Sequence, residues 1–225
     1  PQSCLHLRIG KPMDLIAAQE KNGSRYTVVD PDWVASAPPT WAWDPPPFAL
    51  QIQSLDDLPT VIELADQSTP IRVLGPLTWV DKPSASAELS ESEIMAQLNH
   101  GVRTATNGPQ IHLRINGVRP GEVLEPPTWE YDHGFNSPIQ PQLDVELEIT
   151  APEWMPVDHV ALIGPGGEIL SSWEPERHHS PRLSIETRIP QRDWIAAICW
   201  SDEANPPLQN EPAWALSGII WIGRP

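Results

Sequence analysis

Between residues 143 and 149, apolar and acidic side chains alternate without interruption: Leu143, Val145, Leu147 and Ile149 against Asp144, Glu146 and Glu148. Successive side chains of a strand point to opposite faces, so the run predicts a strand with one buried and one wet face. Ile111, Leu113 and Ile115, interleaved with His112 and Arg114, repeat the pattern. Further short candidates follow at His159–Ile163, Glu168–Trp173, Leu183–Arg188, Trp194–Trp200 and Trp214–Ile222, punctuated by Gly-Pro, Pro-Gly and Pro-Pro pairs. This spacing predicts an antiparallel β-sandwich over residues 105–225.

Residues 1–104 have another texture. Met13, Ile16 and Ala17 at helical spacing, stopped by Asn22-Gly23, predict a short helix over Pro12–Lys21. Tyr26–Val29 reads as a strand. Asp30–Phe48 is dense in proline, with Trp33, Trp41 and Trp43 interleaved, and predicts an extended loop pinned by its indoles. Ser54 is placed to cap a helix whose first turn holds Asp56 and Asp57 and which runs to about Asp66. Ile71–Val80 is strand-like. Ser90-Glu91-Ser92-Glu93 is a capping box before a helix that Gly101 closes. The fold class expected is therefore α+β: a short, irregular α/β segment over 1–104, then the sandwich.

The 225 residues include 28 prolines and 11 tryptophans, which suits short elements with hard stops. A formal net charge of −16 repels phosphate backbones, so nucleic acid is not an expected partner. No run approaches the roughly 18 apolar residues of a membrane-spanning helix. The chain reads as soluble, in a compartment the sequence leaves open, secreted and periplasmic ones included. Cys4 and Cys199 are too few for a disulfide framework or a cysteine-based zinc site, and whether they pair is left open.

Several constellations carry chemistry-bearing side chains. His178-His179, with Glu174 and Glu176, is the densest set of potential metal ligands. Adjacent strand residues point to opposite faces, so an exposed loop is the simpler reading. Tyr131-Asp132-His133-Gly134 offers an acid/base group with no nucleophile at a recognisable spacing. The pair Asp56-Asp57 is explained by its place in a helix's first turn. Gly164-Pro165-Gly166-Gly167 lacks the Lys-Ser/Thr ending of a phosphate loop and reads as a hairpin turn. Trp194, Trp200, Trp214 and Trp221 are expected to fill the core, whereas Trp33, Trp41, Trp43, Trp79 and Trp129 seal loops over the core, bury a domain interface or stack on a sugar ring.

The segment Ile94 to Pro109, with His100-Gly101-Val102-Arg103-Thr104 and Thr106-Asn107-Gly108-Pro109, leads into Asn116-Gly117-Val118-Arg119-Pro120-Gly121. Together with Val157–Ile163 and the strand at Trp194, it resembles the C-terminal part of CehA/McbA-type metallohydrolases of the PHP (polymerase and histidinol phosphatase) superfamily. The likeness covers about residues 90–200. It implies an upstream barrel-like domain with a multinuclear metal site, built from a His-x-His on an early strand and a late Asp-x-His. No His-x-His occurs here. At the place of the late pair stands Ala65-Asp66-Gln67-Ser68, so Asp66 would be a remnant ligand and Ser68 replaces the histidine. One carboxylate cannot hold a divalent cluster.

The expectation is a non-catalytic accessory sandwich with the tail of a PHP-like domain. No catalytic residue, metal site or cofactor is assigned to this chain. A divalent metal and phosphoester hydrolysis would belong to the parent protein, with a missing catalytic domain as partner. The alternatives are a carbohydrate-binding module using the loop tryptophans, and a protein-interaction domain.

Overall fold

The computed structural model describes residues 27–29, 48–67, 72–79, 104–127, 130–132, 137–175, 182–206 and 209–223. The expected helices at 12–21 and 90–101, and the Pro/Trp loop after residue 29, lie outside the described residues.

The first layer is parallel. Strands β1 (Thr27–Val29), β2 (Phe48–Gln51) and β3 (Arg72–Leu74) pair in that order, Thr27 with Phe48 and Ala49 with Arg72. Parallel neighbours need a crossover, and helix α1 (Leu58–Asp66) supplies it between β2 and β3. Ser54 starts the helical stretch as the sequence requires: its Oγ accepts from Asp56 N at 3.1 Å, and Asp57 Oδ2 reaches back to Gln53 N at 2.7 Å. Val61, Leu64 and Ala65, at helical spacing, form the buried stripe of α1.

Ile71–Val80, expected as one strand, is two. β3 ends before Gly75-Pro76, and β4 (Leu77–Trp79) pairs instead with β5 (Thr104–Thr106). A Cβ on Gly75 would sit 2.4 Å from Thr106 N, so only glycine lets the chain cross this close to β5. Here the parallel sheet hands over to the antiparallel one, and pairing runs across the 104/105 boundary.

The remaining elements are antiparallel apart from one pair. They are β6 (Gln110–Ile115), β7 (Val123–Leu124), β8 (Glu130–Asp132), β9 (Ser137–Ile139), β10 (Gln142–Thr150), β11 (His159–Ile163), β12 (Ile169–Trp173), β13 (Arg182–Pro190), β14 (Trp194–Trp200), β15 (Trp214–Ser217) and β16 (Ile220–Ile222). One sheet runs β12-β11-β14-β15-β5-β4, with β16 also on β14 and β7 parallel to β16. A second runs β13-β10-β6, and β8 pairs β9. The described residues are thus β-rich with antiparallel sheets, as the alternating runs demand.

Trp214–Ile222, expected as one strand, carries a bulge. Ile198 pairs Leu216 and Ile195 pairs Ile220, so three steps on β14 face four on its partner. The buried Ser217 Oγ accepts from Ala197 N at 2.8 Å and donates to Gly218 O, satisfying groups the bulge would orphan.

One hydrophobic core joins Leu143, Leu147 and Ile189 of the three-stranded sheet to Leu162, Ile195, Ala197 and Ile220 of the larger one. A second core lies on that larger sheet's other face, where Ile163, Trp194, Ala196 and Leu216 meet Leu50, Ile52, Val61, Leu64 and Val73. The middle strands of the larger sheet, β11, β14, β15 and β5, are therefore buried on both faces. Its central strand shows why: Trp194–Cys199 is an unbroken apolar run, the signature of a two-sided strand.

Candidate functional site

The seam between the parallel layer and the larger antiparallel sheet is where sequence-predicted residues converge. Asp66 is the last residue of α1. Its Oδ1 and Oδ2 both accept from Gly166 N, at 3.1 and 2.9 Å, and Oδ1 accepts from Trp194 Nε1 at 3.0 Å. A carboxylate at a helix C-terminus opposes the dipole by about 0.3–1 kcal/mol. The bonds from Gly166 and Trp194, worth about 0.5–1.5 kcal/mol each net, offset that cost.

Gly166 belongs to the hairpin turn between β11 and β12. Gly166 and Gly167 hold φ of 66° and 74°, which turns the Gly166 N–H outward to meet the carboxylate. A Cβ on Gly167 would come within 3.1 Å of Ile62 Cδ1, so helix and turn pack closely. The Gly-Pro-Gly-Gly turn thus binds an anion, and the anion is the chain's own aspartate. Beside it, Arg192 grips Glu168 through two 2.8 Å bonds and holds that carboxyl below its usual value.

A second polar cluster, which the sequence did not single out, closes one end of the antiparallel sheets. His159 Nε2 lies 2.7 Å from Asp202 Oδ1, and its ring stacks on Trp200 with centroids 4.9 Å apart. Asp158 Oδ2 accepts from Asp202 N at 2.9 Å. A His–Asp pair can move a proton, and in a Ser–His or Cys–His arrangement it would activate a hydroxyl or thiol within reach. The neighbouring Ser201 hydroxyl is already committed, accepting from Ala213 N at 2.7 Å and donating to Glu203 O. The pair ties the start of β11 to Asp202 just after β14.

Asp56 and Asp57 lie at the helix start, where Asp57 completes the capping box. Tyr131 and Asp132 fall in β8, while His133, the pair His178-His179, and Trp33, Trp41 and Trp43 lie outside the described residues. Trp194, Trp214 and Trp221 are buried, and Trp200 packs against the core from its edge. Cys199 is a free thiol, and burial pushes its pKa up to about 12. Among the described residues, no three His, Cys, Asp or Glu side chains group as metal ligands, and no helix is long and apolar enough to cross a membrane.

Sequence reasoning marked Asp66 but missed its partners. The signal was available: an acid in the last turn of a helix, with no basic residue there, contradicts the dipole preference and asks for donors elsewhere. Compared with known proteins, the chain matches no family model, no curated protein and no solved structure.

Proposed function

We propose that the chain is a non-catalytic accessory unit, a β-sandwich joined to the tail of an α/β domain, from a parent resembling PHP-type metal-dependent hydrolases. The larger antiparallel sheet carries this reading, because its middle strands are covered on both faces, one by the three-stranded sheet and the other by β2, α1 and β3. The middle strands of that sheet are committed to packing on both sides. Its role is to couple two layers.

The two facing antiparallel sheets are read as the sandwich, and the β2-α1-β3 unit as the domain tail. In that reading Asp66 is the survivor of a late metal-ligand pair, kept as the acceptor that ties α1 to Gly166 and Trp194. The parent's phosphoester chemistry would then reside in a catalytic domain that the accessory unit buttresses. The resemblance through Thr106-Asn107-Gly108-Pro109 and Asn116–Gly121 supports the class.

The test is an assay of the purified chain with manganese or zinc and bis(p-nitrophenyl) phosphate. No turnover above the metal blank is expected, and calorimetry should find no stoichiometric site tighter than about 1 μM. Turnover that Asp66→Asn abolishes would contradict the proposal.

A further inference from the structure

We propose that Asn116-Gly117 is a site of self-modification, where the asparagine side chain cyclises onto the next backbone amide and ages to aspartate and isoaspartate. The chain holds three Asn-Gly steps, at 22–23, 107–108 and 116–117, and the last two lie among the described residues. The fold treats these two in opposite ways.

Both described asparagines have their carbonyl oxygen bound, so that bond does not tell them apart. Asn107 Oδ1 accepts from Trp214 N at 2.7 Å, and Asn116 Oδ1 accepts from Asp144 N at 2.8 Å. The nucleophile and the leaving group differ. Gly108 N donates to Thr106 Oγ1 at 2.7 Å, and Asn107 Nδ2 donates to Pro212 O at 2.8 Å. A Cβ on Gly108 would collide with the Met155 thioether, so this step is also walled in.

Asn116 and Gly117, with φ of 49° and 80°, form the exposed two-residue turn after β6. Ile115 and Val118 close it by exchanging backbone bonds of 3.0 and 2.9 Å. That closure uses neither Gly117 N nor Asn116 Nδ2, and neither has a hydrogen bond among the described residues. No atom comes within 4 Å of a Cβ placed on Gly117. The attacking amide and the departing one are therefore both open to water at 116–117, and both held at 107–108.

In the reaction Gly117 N gives its proton to hydroxide as it bonds to Asn116 Cγ. The Cγ–Nδ2 bond breaks, and ammonia leaves with a proton taken from water. Water then opens the resulting succinimide. Attack at Cγ leaves aspartate, whereas attack at the main-chain carbonyl carbon leaves isoaspartate, with the peptide link running through Cγ. No oxidant or reductant is needed. Neighbouring residues supply both reacting groups, so the attack is intramolecular. Either product adds one negative charge to a chain of net charge −16, and isoaspartate also lengthens a turn that sets the closure of Ile115 on Val118.

This inference is independent of the accessory role. An Asn22→Ser variant, which removes the third step, is held folded at mildly alkaline pH. Conversion at each asparagine is followed by peptide mapping with mass spectrometry and by enzymatic methylation of isoaspartyl groups. Asn116 should convert at least about tenfold faster than Asn107, the difference expected from two held hydrogen bonds. In urea, where the fold no longer protects Asn107, the two rates should converge. The idea is overturned if Asn107 keeps pace with Asn116 in the folded chain, or if the gap is as wide in urea. It is equally overturned if folded Asn116 stays intact over a period in which the urea-unfolded chain converts there.

Discussion

The carboxylate of Asp66 accepts a hydrogen bond from the indole of Trp194 across 128 positions of sequence. Trp194 is 2% exposed and stands on β14, the central strand of the sheet buried on both sides. One bond therefore links the end of α1 to the middle of the antiparallel body, and Gly166 adds a second anchor from the adjoining turn.

Truncating Asp66 should reveal these donors. Asp66→Ala removes the acceptor for the Trp194 and Gly166 N–H groups and is expected to cost about 1–3 kcal/mol in urea unfolding. Asp66→Asn keeps one acceptor oxygen and should cost roughly 1 kcal/mol or less. If alanine and asparagine prove equally harmless, the seam is not held by this side chain.

The alternation over 143–149 makes a sharp pair of tests. Leu147 is 2% exposed inside the shared core, and Leu147→Asp buries an unpaired charge that should unfold the chain. Glu146 is exposed between Arg114 and Glu186 in the register. Glu146→Lys should move stability by less than about 0.5 kcal/mol. Equal effects in circular-dichroism melts would mean the strand is shifted by one residue.

Cys199 gives a test by chemical labelling. Desolvation raises its pKa to about 12, and a bond with Ala215 offsets only part of that. A folded-state pKa above the unfolded value of 9.0 gives stability that is complete below pH 9 and lost as pH rises from 9 toward 12. In a Cys4→Ser variant at pH 8, the thiol should resist Ellman's reagent until guanidinium unfolds the chain. Rapid labelling of the native protein would place Cys199 outside the core.

Local pattern carried much of the fold. Alternation defines β6 and β10, and Ser54 with its acids defines the 3-10 turn Leu55–Asp57 that leads into α1, because these depend only on strand and helix periodicity. The breaks at Gly75-Pro76 and Gly218 were hidden, since each follows from what lies across from it: the backbone of Thr106 in one case, the register of β14 in the other. The two-sided burial of Trp194–Cys199 was present in its unbroken apolar run, but that run alone does not say what covers the second face. Asp66 stands out in the sequence only through a resemblance, and its bonds to Gly166 and Trp194 depend on the tertiary fold.

Coupling between the parallel layer and the antiparallel body is the centre of this account, and segment-resolved hydrogen exchange measures it directly. Amides of Leu50 and Ile52 on the parallel side and of Ala196 and Ile198 on β14 share one core. They should exchange with one common opening free energy, and Asp66→Ala should lower it for both sets by the same amount. Free exchange of the β2 and α1 amides while β14 keeps full protection would show two independent bodies and contradict the account.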